Sequence, residues 1–157
     1  MKLSTKIISA TLALSLGATA VYAAAHINSA VGARQAQMSL YGFNIGLLGG
    51  MAQGKIDYDA DAAAKAASNL AALTALDQSR MWPQGSDNVA LGADATRAKP
   101  ELWANFPDVA AKGMAVNAAA VAMAEAAGGG LDSLRGAIGP LGQACSACHK
   151  AYRAPKE

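Results

Sequence analysis

The chain ends in GPLGQACSACHKAYRAPKE (residues 139–157), and the segment CSACH (145–149) within it holds both cysteines of the protein and one of its two histidines. On an α-helix, Cys145, Cys148 and His149 stand at positions i, i+3 and i+4 and share one face. Two thiols there can add to the two vinyl groups of a haem as thioethers, while the neighbouring imidazole reaches the iron. The segment therefore predicts one covalently bound haem c, attached through both cysteines, with His149 as an axial ligand of the iron.

Three other uses of these cysteines fit the sequence less well. A thioredoxin-like C-x-x-C accompanies a βαβ pattern, and no stretch of this chain shows the alternation of a strand. A structural zinc site needs four Cys or His ligands, and only three remain here because His26 lies at a predicted cleavage point. A disulfide between the two cysteines would leave His149 and the composition of the core unexplained.

Alanine dominates the composition, and aromatic residues make up only 5% of it. Alanine is the best helix former, but its side chain buries little apolar surface. A helical protein built largely of alanine would have an underfilled core. A bound haem would supply the missing apolar volume.

The N-terminus has the features of an export signal. Two lysines accompany the apolar stretch IISATLALSLGATAV (7–21), and small residues follow that allow cleavage after Ala23 or Ala25. The stretch is interrupted by polar residues and is shorter than the roughly 20 apolar residues of a spanning helix. Residues 1–25 are therefore predicted to be a cleaved signal peptide and 26–157 the mature domain, located in the periplasm without a stable membrane anchor.

The charge balance argues against a nucleic-acid partner. Loss of residues 1–25 removes two of the 13 basic residues and none of the 11 acidic ones, which leaves 11 of each. No basic run of the kind that follows a phosphate backbone is present. The sequence also shows no nucleophile–base pair, paired carboxylates or phosphate-binding loop, so no enzyme activity is predicted.

Four helical segments are predicted in the mature domain from apolar residues at three- and four-residue steps. The first covers 27–53, and the second begins after the N-cap Asp59. The third covers 101–127, with a start that Pro107 could shift, and the fourth covers Leu131–Tyr152. A connection of about 20 residues separates the second and third segments, and short links join the others. This pattern predicts an all-α, antiparallel (up-down-up-down) four-helix bundle that encloses the haem.

The opposite face of the iron decides between functions. His149 is the only strong ligand at hand, so the sixth position is either open or filled by a methionine sulfur. The chemically able residues are Met38, Met51, Met81, Met114 and Met123. Methionine at helical spacing is more often core filler than ligand. Arg34 and Gln35, beside the apolar stripe of the first helix, are equally compatible with a haem propionate contact and with an ordinary solvated helix face.

The chain resembles cytochrome c′, a family of class II c-type cytochromes, across nearly the whole mature segment. The matching stretches are RQAQM at 34–38, MAQGKIDYDA at 51–60, PQGS at 83–86, AKPELW at 98–103 and CSACHKAYR at 145–153. A C-x-x-C-H motif alone indicates only c-type haem. Its place at the C-terminus, with Tyr-Arg after it and Arg-Gln in the first helix, makes the resemblance specific.

The resemblance implies roles for further residues. Arg34 and Gln35 fall at positions that contact the haem propionates, and Arg97 falls in a loop that approaches the haem edge. Arg153 falls close to the proximal face of the iron, and Met38 falls where a bulky residue covers the distal face. Trp82 stands where phenylalanine is commoner in the family.

The resemblance also implies function. In cytochrome c′ the distal residue covers the iron without ligating it, so the iron stays five-coordinate and binds NO and CO. Low-spin relatives in class II instead use a methionine of the first helix as sixth ligand and carry electrons, and Met38 could serve either way. The prediction is a periplasmic mono-haem cytochrome that binds small gases and/or transfers electrons; the alternative is a six-coordinate electron carrier ligated by Met38. A homodimer formed through the first two helices is also implied, whereas the redox partner is not identified.

Overall fold

The computed structural model describes the backbone of residues 5–156 and the side chains of residues 26–156. In chain order the helices are α1 (Thr5–Ala52), α2 (Ala60–Thr74), α3 (Asn88–Leu91), α4 (Glu101–Ala104), α5 (Phe106–Ala126) and α6 (Leu131–Tyr152). The helices α1, α2, α5 and α6 are long, whereas α3 and α4 are single turns within the connection from α2 to α5. Among the described residues there is no β-strand, only an isolated bridge between Ala98 and Arg153. The fold is all-helical, as the sequence predicts.

The predicted signal peptide, residues 1–25, and its two cleavage sites lie outside the residues whose side chains are described, so this assignment stays a prediction. The helix α1 includes nearly all of the first predicted helix, 27–53, and ends one residue earlier. Within the described part of the chain, no helix is both long enough and apolar enough to cross a membrane.

Hydrogen bonds between helix ends show how the long helices run. At one end, Arg135 of α6 donates to the carbonyl of Ala52 at the close of α1 over 2.9 Å. The hydroxyl of Tyr58, just before α2, donates to the carbonyl of Ala127 after α5 over 2.8 Å. We call this the link end, because both short links lie there. Since α1 packs on α2 and α6, and α5 packs on the same two helices, the four form an up-down-up-down bundle.

The opposite end carries the C-terminus of α6, and we call it the motif end. There Gln37 of α1 donates to the carbonyl of Leu73 in α2 over 2.8 Å. The hydroxyl of Tyr152, the last residue of α6, contacts the carboxylate of Asp108 in the first turn of α5. The Cys and His side chains of the C-terminal segment therefore lie in this half of the bundle.

The starts of α2 and α5 follow from single residues. Asp59 caps α2 as predicted, because its carboxylate accepts a hydrogen bond from the N–H of Ala62 over 2.8 Å. The third predicted helix, 101–127, is instead divided into α4 and α5 at Asn105. Pro107 has no N–H to continue a helix from the preceding turn, but it fits the first turn of a new one. The true start of the long helix is therefore at Phe106.

Large apolar side chains fill mainly the link half of the bundle. The buried core consists of Leu48, Met51, Ala63, Ala66, Ala67, Leu70, Ala120, Met123, Ala127, Leu134 and Leu141. Along α6 these residues stop one turn before Cys145. In the motif half, Met38 of α1 and Met114 of α5 remain 38% and 68% exposed. The motif half buries fewer large apolar side chains than the link half, chiefly Val31, Leu102 and Tyr152, and we call it underfilled in this sense.

Candidate functional site

The last turns of α6 bring the three side chains of the C-x-x-C-H motif together. Cys145, Cys148 and His149 are all half-buried, and both cysteines are free thiols. The helix continues without a break through the motif to Tyr152. Its last backbone hydrogen bond runs from the N–H of Arg153 to the carbonyl of His149 over 3.1 Å. The helical spacing expected from the sequence is therefore the spacing in the structure.

The two thiols face different neighbours across the bundle. Cys145 packs against the core and lies near Tyr41 of α1. Cys148 lies near Lys112 and Asp108 of α5. Burial raises the pKa of both thiols, so they are protonated at neutral pH. A group joined to both would be held between α1 and α5.

The imidazole of His149 is suited to bind iron. Burial lowers its pKa, and the nearby positive charges of Arg153 and Arg97 lower it further. The side chain is therefore neutral at physiological pH, which is the form that ligates a metal. Among the described residues, no group of three or more His, Cys, Asp or Glu side chains could hold a bare metal ion.

A short antiparallel pairing places Arg97 and Arg153 beside the motif. The bridge joins Ala98 to Arg153. The N–H of Lys99 donates to the carbonyl of Tyr152 over 3.0 Å, and the N–H of Ala154 donates to the carbonyl of Arg97 over 2.8 Å. Arg153 and Arg97 therefore lie near His149, at the end of α6. The specific contacts of Arg97 and Arg153 with a haem stay predictions.

Arg34 is buried and binds the long connection between α2 and α5. It is only 3% exposed, so it does not lie on a solvated helix face. One terminal nitrogen donates to the carbonyl of Met81 over 3.3 Å and to the hydroxyl of Ser86 over 2.7 Å. The other donates to the carbonyl of Ser86 and to the hydroxyl of Thr96, the latter over 2.8 Å. Burial lowers the pKa of Arg34, and the nearby negative charge of Asp87 offsets part of this shift. The contact of Arg34 with a propionate stays a prediction.

Both tryptophans of the chain lie against this guanidinium. The Arg34 group sits 5.0 Å from the ring centre of Trp82 and 6.0 Å from that of Trp103. The two rings meet edge to face, 6.4 Å apart, and the Trp103 indole N–H donates to the carbonyl of Trp82 over 3.0 Å. Trp82 thus packs on Arg34, which explains an aromatic residue at that position. The role of Trp103 was not predicted.

The neighbouring Gln35 also binds the connection. Its amide donates to the carbonyl of Ala95 over 2.8 Å, although the residue is exposed. Met38 lies one helical turn after Arg34 and is partly exposed. Between them, Gln37 is buried. Its amide nitrogen donates to the carbonyl of Leu73, and its amide oxygen has no hydrogen-bond partner among the described residues. No pattern in the neighbouring sequence predicts that the polar side chain of Gln37 is buried.

A second unpredicted cluster lies beside Cys148. The Tyr152 hydroxyl donates to one carboxylate oxygen of Asp108 over 2.5 Å, and Lys112 donates to the other over 3.0 Å. The hydrogen bond to Asp108 raises the pKa of Tyr152 to about 12. The pKa of Asp108 is lowered by Tyr152 and then by Lys112. The cluster joins the start of α5 to the end of α6, next to the second attachment cysteine.

These features fit a covalently bound haem. Two protonated thiols share one face with a neutral imidazole, and they face α1 and α5 in the underfilled half of the bundle. Exposed apolar side chains, Met38 and Met114 among them, are available to cover an apolar ring. The residues that would hold the group are therefore Cys145, Cys148 and His149.

Comparisons with known proteins show the family of this chain. The family model described as Cytochrome C′ matches residues 29–153. Cytochrome c-554 of Cereibacter sphaeroides is 41% identical over 83% of this chain and 84% of its own length. A cytochrome c′ of the same organism is 37% identical over 94% of this chain and 97% of its own.

Solved structures give the same result. A cytochrome c′ from Rhodobacter Spheriodes superposes with a TM-score of 0.79 at 35% identity, covering 83% of this chain and 98% of that one. A ferrous variant of cytochrome c prime from Alcaligenes xylosoxidans, solved with bound NO, has a TM-score of 0.69 at 31% identity and covers 81% and 94%. A third cytochrome c′, with a ligand-controlled dimer dissociation, has a TM-score of 0.75 at 29% identity and covers 82% and 97%. The chain therefore belongs to the cytochrome c′ family, whose members carry a covalently bound haem c.

Proposed function

We propose that this mono-haem c-type cytochrome works in the periplasm, keeps its iron mostly five-coordinate, binds small uncharged gases such as NO and CO, and exchanges electrons. The proposal rests on one observation: the side chains of Cys145, Cys148 and His149 lie on one helical face, in the underfilled half of a cytochrome c′ bundle. When bound, the haem supplies an iron that cycles between Fe(III) and Fe(II) and accepts a gas. Binding and electron exchange need no catalytic residue, so none is assigned.

Each side of the haem has its own set of residues. Cys145 and Cys148 would hold the ring through thioethers, and the neutral His149 would supply the ligand on one side. Arg153, next to His149, would adjust the charge on that side. Met38 would cover the opposite side as an apolar lid. Binding of NO by a related cytochrome c prime supports the choice of ligand.

A second function follows if the sulfur of Met38 binds the iron. Its thioether is a soft ligand, and histidine–methionine ligation is the arrangement of electron-carrying cytochromes c. Met38 lies on α1 within one turn of Arg34, and its side chain is not held in the core. The protein would then be a six-coordinate, low-spin electron carrier that does not bind gases.

The optical spectrum of the ferrous protein, with and without CO, separates the two functions. We expect a high-spin spectrum that shifts when CO is added, because the lid leaves the sixth position open. We expect Met38→Leu to keep this behaviour, since leucine also covers the iron without ligating it. Met51→Leu is the matched control, because Met51 is buried in the link half.

A different pattern would establish the electron carrier instead. In that case the wild-type ferrous spectrum would be low-spin and unchanged by CO. Met38→Leu, but not Met51→Leu, would convert it to a high-spin spectrum that responds to CO. That result would replace the gas-binding proposal.

We also propose a homodimer that packs through α1 and α2. Phe43 is 78% exposed on α1, and Leu40 and Leu76 are exposed beside it. A groove of about 370 Å³ lies between the two helices, lined by Leu40, Phe43, Asn44, Asn69, Ala72, Leu73 and Leu76. Exposed apolar patches with a polar rim are typical of protein interfaces. The ligand-controlled dimer dissociation of a related cytochrome c′ supports this assembly.

We expect Phe43→Glu to weaken the dimer by about 30-fold or more, because it places a charge in the centre of an apolar interface. Sedimentation of the holoprotein over a range of concentrations measures the change. Val121→Glu is the control, since Val121 is exposed on α5, outside α1 and α2. Identical sedimentation of the Phe43 variant and the wild type would contradict a dimer through this face.

A further inference from the structure

A small polar cluster lies between α1 and α2 at the motif end. We call it the tyrosine cluster; it consists of Gln37, Tyr41, Gln78 and the carbonyl of Leu73. The amide nitrogen of Gln37 donates to that carbonyl over 2.8 Å, and the Tyr41 hydroxyl donates to it over 3.3 Å. The amide nitrogen of Gln78 donates to the Tyr41 oxygen over 3.4 Å. None of these residues has a role in the function proposed above.

The Tyr41 hydroxyl makes only a weak hydrogen bond within this cluster. A hydrogen bond from a hydroxyl to an oxygen usually spans about 2.5–3.0 Å, and the bond from Tyr41 to Leu73 is longer. The Leu73 carbonyl already has a shorter bond from Gln37, so it would lose little if Tyr41 donated elsewhere. Burial raises the pKa of Tyr41, and the hydroxyl therefore keeps its proton at neutral pH. Tyr41 is thus a proton donor that another acceptor can take up.

The amide oxygen of Gln37 is a second polar atom without a use in the same place. Gln37 is only 4% exposed, and this oxygen has no hydrogen-bond partner among the residues that the structure describes. The Gln37 side chain lies close enough to Tyr41 to influence the pKa of the hydroxyl. Burial of a polar atom without a partner is costly, and water or a polar ligand usually satisfies such an atom. This part of the interior therefore favours a polar occupant.

Tyr41 lies where it would border the Met38 side of a bound haem. Arg34, Met38 and Tyr41 follow one another at four- and three-residue steps along α1, so they share one side of that helix. Tyr41 and Cys145 both pack against the buried core, and a charge on Cys145 would affect the pKa of Tyr41. A haem attached at Cys145 and covered by Met38 would therefore have Tyr41 beside its covered side.

We infer that the Tyr41 hydroxyl donates a hydrogen bond to a ligand of the haem iron on the Met38 side, with Gln37 and Gln78 as its positioning residues. This inference rests on the proposed open sixth position and adds a selectivity to it. A hydrogen-bond donor stabilises a ligand whose outer atom carries negative charge, and it does little for CO. The pocket would therefore accept small anions and strongly polar ligands besides the uncharged gases.

A purely structural role for the Tyr41 hydroxyl fits the distances less well. Its bonds to Leu73 and Gln78 are both long, and a phenylalanine would fill the same volume. The hydroxyl of Tyr58 at the link end shows the contrast. It donates to the carbonyl of Ala127 over 2.8 Å and accepts from the N–H of Gly130 over 2.9 Å, as expected for a hydroxyl that joins two segments.

Cyanide binding to the ferric holoprotein and CO binding to the ferrous holoprotein test the inference. We expect Tyr41→Phe to weaken cyanide binding about tenfold or more, because a hydrogen bond to a charged acceptor is lost. The same variant should change CO binding by less than about twofold. Gln78→Leu should weaken cyanide binding by about two- to fivefold, because the Tyr41 hydroxyl loses a partner that orients it. Tyr58→Phe is the matched control, since it removes a hydroxyl at the link end, and it should bind cyanide as the wild type does.

The infrared stretching band of bound cyanide gives a readout that a structural role would not change. In the wild type we expect this band to shift when ordinary water is exchanged for heavy water, because the donating hydroxyl exchanges its proton for a deuteron. The band should not shift in Tyr41→Phe, whereas Tyr58→Phe should keep the shift of the wild type.

Other outcomes would overturn the inference. Equal cyanide affinity of Tyr41→Phe and the wild type, or the same isotope shift in both, would show that Tyr41 does not contact the ligand. Equal weakening of cyanide and CO binding by Tyr41→Phe would mean a general disturbance of the pocket. Binding of CO without any binding of cyanide would mean that the pocket takes uncharged gases only. Ferrous protein that does not bind CO would instead refute the proposed open sixth position itself.

Discussion

Replacing Cys145 and Cys148 together with alanine is expected to abolish covalent haem attachment. The two thiols are the only cysteines of the chain, and no other side chain can form the thioethers. Haem attachment should fall from complete to none in cells that carry a c-type haem attachment system. The mass of the denatured mature protein measures it directly, because each attached haem adds one porphyrin mass.

The double variant should also lose stability, because a group that binds only the folded state stabilises that state. The motif half, which its own side chains underfill, should lose more order than the link half. Ser146→Ala is the matched control, since it lies between the cysteines and should keep the haem. Covalent haem in the double variant, or its loss in Ser146→Ala, would show that attachment does not depend on these thiols.

The helical arrangement of the C-x-x-C-H side chains was predictable from sequence because it depends on local geometry. Cys145, Cys148 and His149 lie within five residues, so a regular helix fixes their relative positions without any tertiary information. The cap at Asp59 and the long connection between α2 and α5 were predictable for the same reason. Each depends on residue types within a few positions of one another.

The contacts of Arg34 were not predictable from local patterns. Its acceptors on Ser86 and Thr96 are 52 and 62 positions away, in a connection without periodicity. The Tyr152–Asp108 contact likewise joins residues 44 positions apart. Such contacts depend on how α5 and the connection pack on the bundle. The helical periodicity of the sequence does not determine this packing. From the sequence, Arg34 was unusual but could be assigned only to a propionate or a solvated face.

Replacing Arg34 with methionine is expected to destabilise the holoprotein strongly. The substitution leaves the oxygens of Ser86, Thr96 and Met81 without the Arg34 donors and removes the contact with Trp82. Loss of a buried, hydrogen-bonded charge costs about 3 kcal/mol or more. For a domain of this size, that corresponds to a decrease of about 10 °C in Tm. Denaturant unfolding and thermal unfolding of the holoprotein measure both.

Two further variants separate geometry from charge. Arg34→Lys keeps the charge but not the planar fork that reaches four acceptors, so we expect an intermediate loss. Arg135→Met removes an exposed arginine that contacts Ala52 and Asp132 and should cost less than about 1 kcal/mol. If Arg34→Met costs no more than Arg135→Met, the connection is held in place by the haem rather than by Arg34. A large loss of stability would instead mean that Arg34 holds this connection in place, in the position where it would contact the haem edge.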